Sequence, residues 1–497
     1  MKILLLWPKF PATFWSFKSA LPFIAKKSAF PPLGLLTVAS LLPKEWEKKL
    51  IDLNVEKLKE KDILWADFVF ISAMGIQKES AVSLIEKIKQ LGKKIVAGGP
   101  LFTTEYDEFS KNVDYFVLDE GEETLPLFLT DFNRGELKKI YRSSLRPDIT
   151  KTPRPSWELI NFKNYASMCV QYSRGCPFNC EFCDIILLNG RVPRTKKKEQ
   201  ILTELDALYD RGWREGVFFV DDNFIGNKAE LKKEILPAII HWQEEKHYPF
   251  SFNTQASINL SDDEALMDLM LKAGFETVFI GIETVEEKSL QECQKIQNTN
   301  RDLLSSIKLI QNRGFQIQGG FILGFDNDTA SIFNRTIDFI QKSQITMAMV
   351  GLLQAMPKTR LWQRLKEEKR LLTQASGDNT DGILNFIPKM NQQSLLAGYQ
   401  RVVNYIYAPK QYSQRLISFL KEYNPTKYKK HKINFNESIA LLKSFWILGI
   451  KEKERFYFWK LFFWCLFKRP QSMPIAVRLA IMGLHFRKVA ENNQTNL

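Results

Sequence analysis

Histidine is nearly missing from this chain: it has four, and none precedes His241. The first 240 residues therefore lack the side chain most used to hold catalytic zinc. Cysteine is scarce too, with six in 497 residues. A chain this long buries its own core, and so few thiols argue against a disulfide framework. No run of 18 or more apolar residues occurs, so no segment reads as a membrane span. The opening Met1-Lys2-Ile3-Leu4-Leu5-Leu6-Trp7-Pro8 is too short an apolar run for a signal peptide and reads as a strand. A reducing cytoplasm is the expected compartment. With 45% apolar and 25% charged residues, the composition is that of a globular protein.

What the chain does have is unevenly placed. The net charge is +14, yet from Lys358 onward 25 Lys and Arg stand against 9 Asp and Glu. The basic character therefore belongs to the tail. Three of the six cysteines crowd into Ser173-Arg174-Gly175-Cys176-Pro177-Phe178-Asn179-Cys180-Glu181-Phe182-Cys183-Asp184. Their C-x3-C-x2-C spacing lets three thiolates converge on one metal centre. A zinc site would pair two close ligands with a second pair, and none follows. Four-iron clusters normally take four thiolates, and the nearest other cysteine, Cys169, lies in the strand-like run Met168–Gln171. A cluster with three protein ligands leaves one iron open to a small molecule. Cys293 sits in a helical stretch and reads as an ordinary thiol.

Around this loop the pattern divides in three. Over residues 1–150, short apolar runs at Ile3–Trp7, Lys49–Leu53, Phe68–Ala73, Lys94–Ala97 and Tyr115–Leu118 alternate with helical patterns. The helical stretches are Leu33–Leu42, Lys57–Trp65, Glu79–Leu91 and Glu122–Phe132. This is the signature of an open, doubly wound parallel α/β sheet, Rossmann-like and of flavodoxin type. Such sheets bind ligands at the carboxyl ends of their strands. Those ends carry the loop from Pro8 to Phe17, Ser72-Ala73-Met74-Gly75, Gly98-Gly99-Pro100 and Glu120-Gly121-Glu122. Pro147–Pro155 is the clearest linker. Residues 151–370 then repeat strand and helix six times, as a partial (β/α)6 TIM-type barrel with its chemistry at the strand ends. Residues 371–497 turn helical, basic and aromatic. The aromatic run Phe456–Arg469 suits a helix lying in a membrane interface, and Lys427–Lys432 adds a basic cluster. A helical cap whose aromatics pack on the barrel fits the same pattern, whereas a nucleic-acid partner has the least in its favour.

The cysteine spacing, with Phe182 before the third thiol, resembles the signature of the radical S-adenosylmethionine (SAM) enzymes. The resemblance implies a 4Fe-4S cluster on Cys176, Cys180 and Cys183 whose open iron chelates SAM and splits off a 5′-deoxyadenosyl radical. It also implies SAM contacts at Phe182, Asp222, Asn223, Gln255, Ser257 and Glu283, and at Gly320 and Gly324 of a Gly-x-Ile-x-Gly motif. Phe30-Pro31-Pro32-Leu33-Gly34-Leu35 and Gly98-Gly99-Pro100 make the first 150 residues similar to the cobalamin-binding domain ahead of many radical SAM cores. Corrin contacts are then expected at Pro8, Ser72, Met74, Gly98, Gly99, Glu120 and Gly121. With no Asp-x-His-x-x-Gly motif, cobalamin would be held without a histidine ligand.

Phe14-Trp15-Ser16, Pro31–Gly34 and Val220–Asn227 resemble the subgroup containing the hopanoid C-2 methyltransferases. That implies methyl transfer, through methylcobalamin, to an unactivated carbon of a lipid-like substrate. It also implies a ferredoxin or flavodoxin as reductant, and peripheral contact with the inner face of the membrane. A non-methylating cobalamin radical enzyme, such as a cyclase, and a non-catalytic corrinoid or SAM-binding regulator share the motifs. A tRNA methylthiotransferase would need further cluster cysteines before Cys169.

Overall fold

The computed structural model describes residues 1–373, 375–424 and 435–494; the expected basic cluster Lys427–Lys432 lies outside them. Strands β1 (Lys2–Trp7), β2 (Glu47–Asp52), β3 (Phe68–Ser72), β4 (Lys94–Gly98), β5 (Tyr115–Val117) and β6 (Ile140–Tyr141) form one sheet in the order β2-β1-β3-β4-β5-β6. All five pairings are parallel, the flavodoxin-type order with one strand added. β1 shows why the apolar runs are continuous. Ile3 and Leu5 enter one core and Leu4 and Leu6 another, all fully buried, because successive side chains leave opposite faces of a sheet covered on both sides. Helix Pro100–Phe109 and strand β6 were not anticipated. Pro100 starts that helix where a missing N–H costs nothing.

The second sheet contains β7 (Met168–Val170), β10 (Gly216–Phe219), β11 (Ser251–Gln255), β12 (Phe275–Glu283), β13 (Gln316–Leu323) and β14 (Met347–Leu352). They run in chain order from β7 to β14, parallel throughout, as an open barrel. A two-stranded ribbon, β8 (Ser173–Arg174) with β9 (Arg194–Thr195), brackets the cysteine loop. β7 nearly matches the strand-like run Met168–Gln171, and beyond it the chain turns toward that ribbon.

One apolar core spans both sheets, taking Leu5 and Phe70 from the first and Met168 and Phe219 from the second. Buried Tyr165 donates to Asp52 Oδ2 at 3.0 Å across the junction. The tail is helical, with helices Gln392–Tyr407, Pro409–Glu422, Phe435–Trp446, Arg455–Lys468 and Met473–Gln494. Among the described residues no helix is long and apolar enough to cross a membrane.

The last helix returns to the first domain. Phe486 stacks on Phe14 at 4.1 Å between ring centres. His485 Nε2 donates to the Phe14 carbonyl at 2.9 Å while Nδ1 accepts from Ser19 N at 3.4 Å. Burial lowers the His485 pKa, in keeping with this neutral tautomer. Trp15, from the same loop, donates to Met349 Sδ at 2.9 Å in β14. The loop from Pro8 to Phe17 thus ties all three regions together. Truncating its buried anchor, Phe14→Ala, is expected to cost about 3–5 kcal/mol, read as a lowered midpoint in thermal or urea unfolding of the whole chain.

Candidate functional site

The cysteine loop leaves the ribbon through Gly175, whose φ is +98°. A Cβ there would sit 2.9 Å from the Val192 carbonyl oxygen, so only glycine makes the turn. The loop is then tied down from three directions. From β10, Asp221 accepts from Ser173 N, from Ser173 Oγ at 2.6 Å and from Tyr172 N at 3.2 Å. Burial, only partly offset by these donors, pushes the Asp221 carboxyl up to about 7. Asp222 accepts from Gly175 N at 2.8 Å and Asn189 Nδ2 at 2.9 Å. From helix Arg360–Glu367, Arg364 grips the Glu181 carboxylate at 2.7 and 3.1 Å, and Arg360 donates to the Asn179 carbonyl. From behind, the Cys293 carbonyl accepts Glu181 N at 2.8 Å.

Cys176, Cys180 and Cys183 lie within electrostatic reach of Lys295. Burial raises all three thiol pKa values, and the Lys295 ammonium opposes that rise at each. Lys295 is itself buried, which alone would lower its pKa, but Glu283 and the Cys180 thiol raise it well above the usual lysine range. Its Nζ lies 2.7 Å from Glu283 Oε1. Glu283 holds a left-handed φ of +64° at the end of β12, a conformation that costs a non-glycine residue energy and needs support. Asn298 Nδ2 supplies support by donating to the Gly281 and Ile282 carbonyls at 3.1 and 3.0 Å. Gly281 must lack a side chain, since a Cβ would stand 2.2 Å from Glu283 Oε1. Gln297 Nε2 points at Cys180 Sγ from 4.0 Å. Among the described residues no three His, Cys, Asp or Glu side chains close around a single ion. Three soft thiolate donors beside a buried cation suit an anionic iron–sulfur group, each thiolate on a separate iron.

Over this loop lies a cavity of about 760 Å³, walled by the carboxyl ends of both sheets and within the range of cofactor sites. The first domain lines it with Ser72, Met74, Gly98, Gly99, Glu120 and Gly121, and the second with Phe182, Cys183, Glu283 and Gly320. Gly99 has a φ of +87°, and a Cβ on it would meet Ser72 Oγ at 2.5 Å. The backbone therefore presents a side-chain-free face to a flat ligand. Across the cavity Phe279, Ile322, Met349 and Leu352 make an apolar wall.

Other expected contacts are placed elsewhere. Cys176, Cys180, Asp222, Asn223, Gln255, Ser257, Gly324 and Pro8 are not on the cavity wall. Asp222 holds the loop, and Asn223 Oδ1 accepts from Ser257 N at 3.1 Å, locking β10 to β11. The Pro8 carbonyl accepts Gln77 Nε2 at 2.5 Å. Gly324 donates to Asp328 at 2.9 Å.

The sequence reading passed over Arg174 and Asp184, which flank the cysteines and line the cavity. It also passed over the strap at residues 375–382, whose Gly377 and Asn379 line the cavity too. The strap is held by Leu352 N donating to the Asn379 carbonyl at 2.7 Å. Its Gly377 packs so close to Ile76 that a Cβ would lie 2.7 Å from that residue's nitrogen. Adjacency to the motif was a usable signal for Arg174 and Asp184; the strap carries none.

Residues 24–129 match the B12 binding domain family model, 170–340 the radical SAM superfamily and 359–497 a domain of unknown function, DUF4070. An uncharacterized methyltransferase of Synechocystis sp. is 43% identical over 99% of this chain and 92% of its own length. The hopanoid C-2 methylase of Rhodopseudomonas palustris is 34% identical over 92% of this chain and 88% of its own. The solved structure of OxsB, a cobalamin-dependent SAM radical enzyme, superposes with a TM-score of 0.62 at 16% identity. That match covers 100% of this chain and 80% of OxsB, and the likeness is one of fold.

The mostly buried Glu283–Lys295 pair is costly to break. Glu283→Gln leaves a buried, unpaired ammonium and is expected to lower stability by about 3–5 kcal/mol. Glu283→Gln with Lys295→Met is expected to lose less than the two single changes summed, in a double-mutant cycle of urea unfolding.

Proposed function

The chain belongs to the cobalamin-dependent radical SAM methyltransferases, and from that premise we propose that it methylates an unactivated carbon of a polycyclic, hopanoid-type lipid. The observation that carries the substrate class is the apolar wall of Phe279, Ile322, Met349 and Leu352 in the same cavity as Cys183 and the Gly98–Gly99 face. The 34% identical hopanoid C-2 methylase supports it. As an enzyme of this family the protein uses a 4Fe-4S cluster, SAM and cobalamin, together with a reductant and a small-molecule substrate. Bound together, these cofactors supply an adenosyl radical and a methyl group.

The chain's own residues orient and shield. Cys176, Cys180 and Cys183 hold the cluster, with Lys295 balancing the thiolate charge. Phe182, Glu283 and Gly320 cradle SAM. Asp222 holds the cysteine loop from behind, and Asn223 with Ser257 locks the strand ends beside it. Ser72, Met74, Gly98, Gly99 and Gly121 form the corrin face, and the strap with the apolar wall excludes water. A small acidic electron carrier of the ferredoxin or flavodoxin type serves as reductant.

The tail presents Phe467 at 76%, Phe456 at 68% and Trp446 at 56% exposure, with Lys451 set 5.6 Å over the Trp446 ring. Exposed rings with lysines at their edge suit the headgroup zone of an anionic membrane, which would also hold the substrate. The protein then works at the inner membrane face.

Anaerobic reconstitution should give a chain that binds iron and cobalamin and, when reduced, forms 5′-deoxyadenosine. Cys176→Ala, Cys180→Ala or Cys183→Ala should each abolish both the iron signal and the nucleoside. With methyl-labelled SAM and a hopanoid-containing lipid extract, label should enter the lipid fraction; nucleoside formation without lipid label would refute the substrate class. Phe463→Ser with Phe467→Ser should weaken binding to phosphatidylglycerol vesicles by roughly tenfold or more, measured by cosedimentation.

A further inference from the structure

The ribbon that carries the cysteine loop contains an arrangement that would be unstable alone. β8 and β9 pair antiparallel with Arg174 directly opposite Arg194, and like charges at that spacing repel. A residue of the other domain resolves the conflict. Glu120, at the start of helix Gly121–Arg134, accepts Arg174 Nη1 on Oε2 at 2.9 Å and Arg194 Nη2 on Oε1 at 2.8 Å. Glu122, two residues on, takes Arg174 through both oxygens, at 2.7 and 3.0 Å. The side chains are buried, at 7% exposure for Glu120 and 14% for Arg174. Arg146 completes the group, reaching Glu120 Oε1 at 3.4 Å and the Leu187 carbonyl at 2.7 Å.

Adhesion alone does not require these charges. The two sheets already share a continuous apolar core, and buried ion pairs generally stabilise less than apolar contacts of the same volume. What a bidentate arginine–carboxylate pair adds is registry: its planar fork allows one relative placement, whereas apolar surfaces slide. Here the forks of Glu122 with Arg174 and of Glu120 with Arg194 join the start of helix Gly121–Arg134, beside the proposed corrin face, to the ribbon, where Arg174 stands two residues before Cys176. Both Glu120 and Arg174 line the shared cavity.

We propose that Glu120, Glu122, Arg174 and Arg194 are an interdomain clamp of positioning residues that sets how far the corrin lies from the SAM-bearing cluster. The clamp rests on the reading of the two cavity faces given above. Its loss leaves each cofactor bound but misplaced relative to the other, and an error of about 1 Å between reacting groups can cost about 100-fold in rate.

The test uses the full-length chain loaded with cluster and cobalamin. Arg174→Gln should keep wild-type iron and cobalamin content. The magnetic interaction between cob(II)alamin and the reduced cluster, read by pulsed EPR, should pass from one distance to a broadened distribution. Transfer of label from methyl-labelled SAM to the protein-bound corrin should slow by about 100-fold. Glu122→Gln, which spares Glu120 and keeps the fold if the first variant loses it, should show a smaller change of the same kind. Arg174→Lys, which keeps the charge but not the fork, should resemble Arg174→Gln. An unchanged distance distribution and label rate in both Arg174→Gln and Glu122→Gln would overturn the clamp. Loss of either cofactor from both variants would also overturn it, by assigning these residues to binding. A wild-type chain that takes up no cobalamin would instead overturn the reading on which the clamp rests.

Discussion

A loop that carries three thiols beneath a cavity, with Cys183 on its wall, must have its own backbone donors satisfied on the other sides. In this protein that requirement organises everything nearby. Asp221 and Asp222 take the amides of Tyr172, Ser173 and Gly175, Arg364 takes the carboxylate between the second and third cysteines, and the Cys293 carbonyl takes the amide of the same residue. The carboxylates that follow β10 lie behind the cavity because the loop needs them as acceptors. Each belongs to a different stretch of chain, so the loop has its working shape only when the barrel is closed by helix Arg360–Glu367.

The two halves of the molecule are joined by two kinds of force. Apolar packing from β1 to β13 supplies adhesion, and its lack of direction leaves the halves free to slip. Charged pairs at the rim, from Glu120 and Glu122 to the ribbon, supply direction. The loop from Pro8 to Phe17 adds a third tie through the last helix, with a neutral histidine satisfied at both nitrogens. A reaction that brings two large cofactors to one substrate needs both adhesion and direction, since proximity without orientation gains little.

Much of the fold could be read in the chain because buried parallel strands need uninterrupted apolar runs, and Ile3–Trp7 or Gln316–Leu323 satisfy that need locally. Helix Pro100–Phe109 escaped notice because its polar threonines and glutamates carry little periodic signal. The cavity residues divide the same way. Ser72, Met74, Gly98 and Gly99 end or follow strands and could be inferred from that position. Asn223 and Ser257 also follow strands, yet bond to each other, a pairing that depends on how β10 and β11 sit side by side. The strap at residues 375–382 is distant in sequence from everything it touches.

The sequence by itself determined the chemistry: three thiols at a spacing that only a short loop allows, glycines at strand ends, and two successive alternations of strand and helix. Local covalent spacing and side-chain period suffice for these. Only the tertiary structure decided which acids face the cavity and which hold the loop, that Lys295 comes within electrostatic reach of the thiols, and that Glu120 reaches across to two facing arginines. Those outcomes depend on which long-range partner leaves no buried charge or amide unpaired, and pairing of that kind is a property of the closed fold.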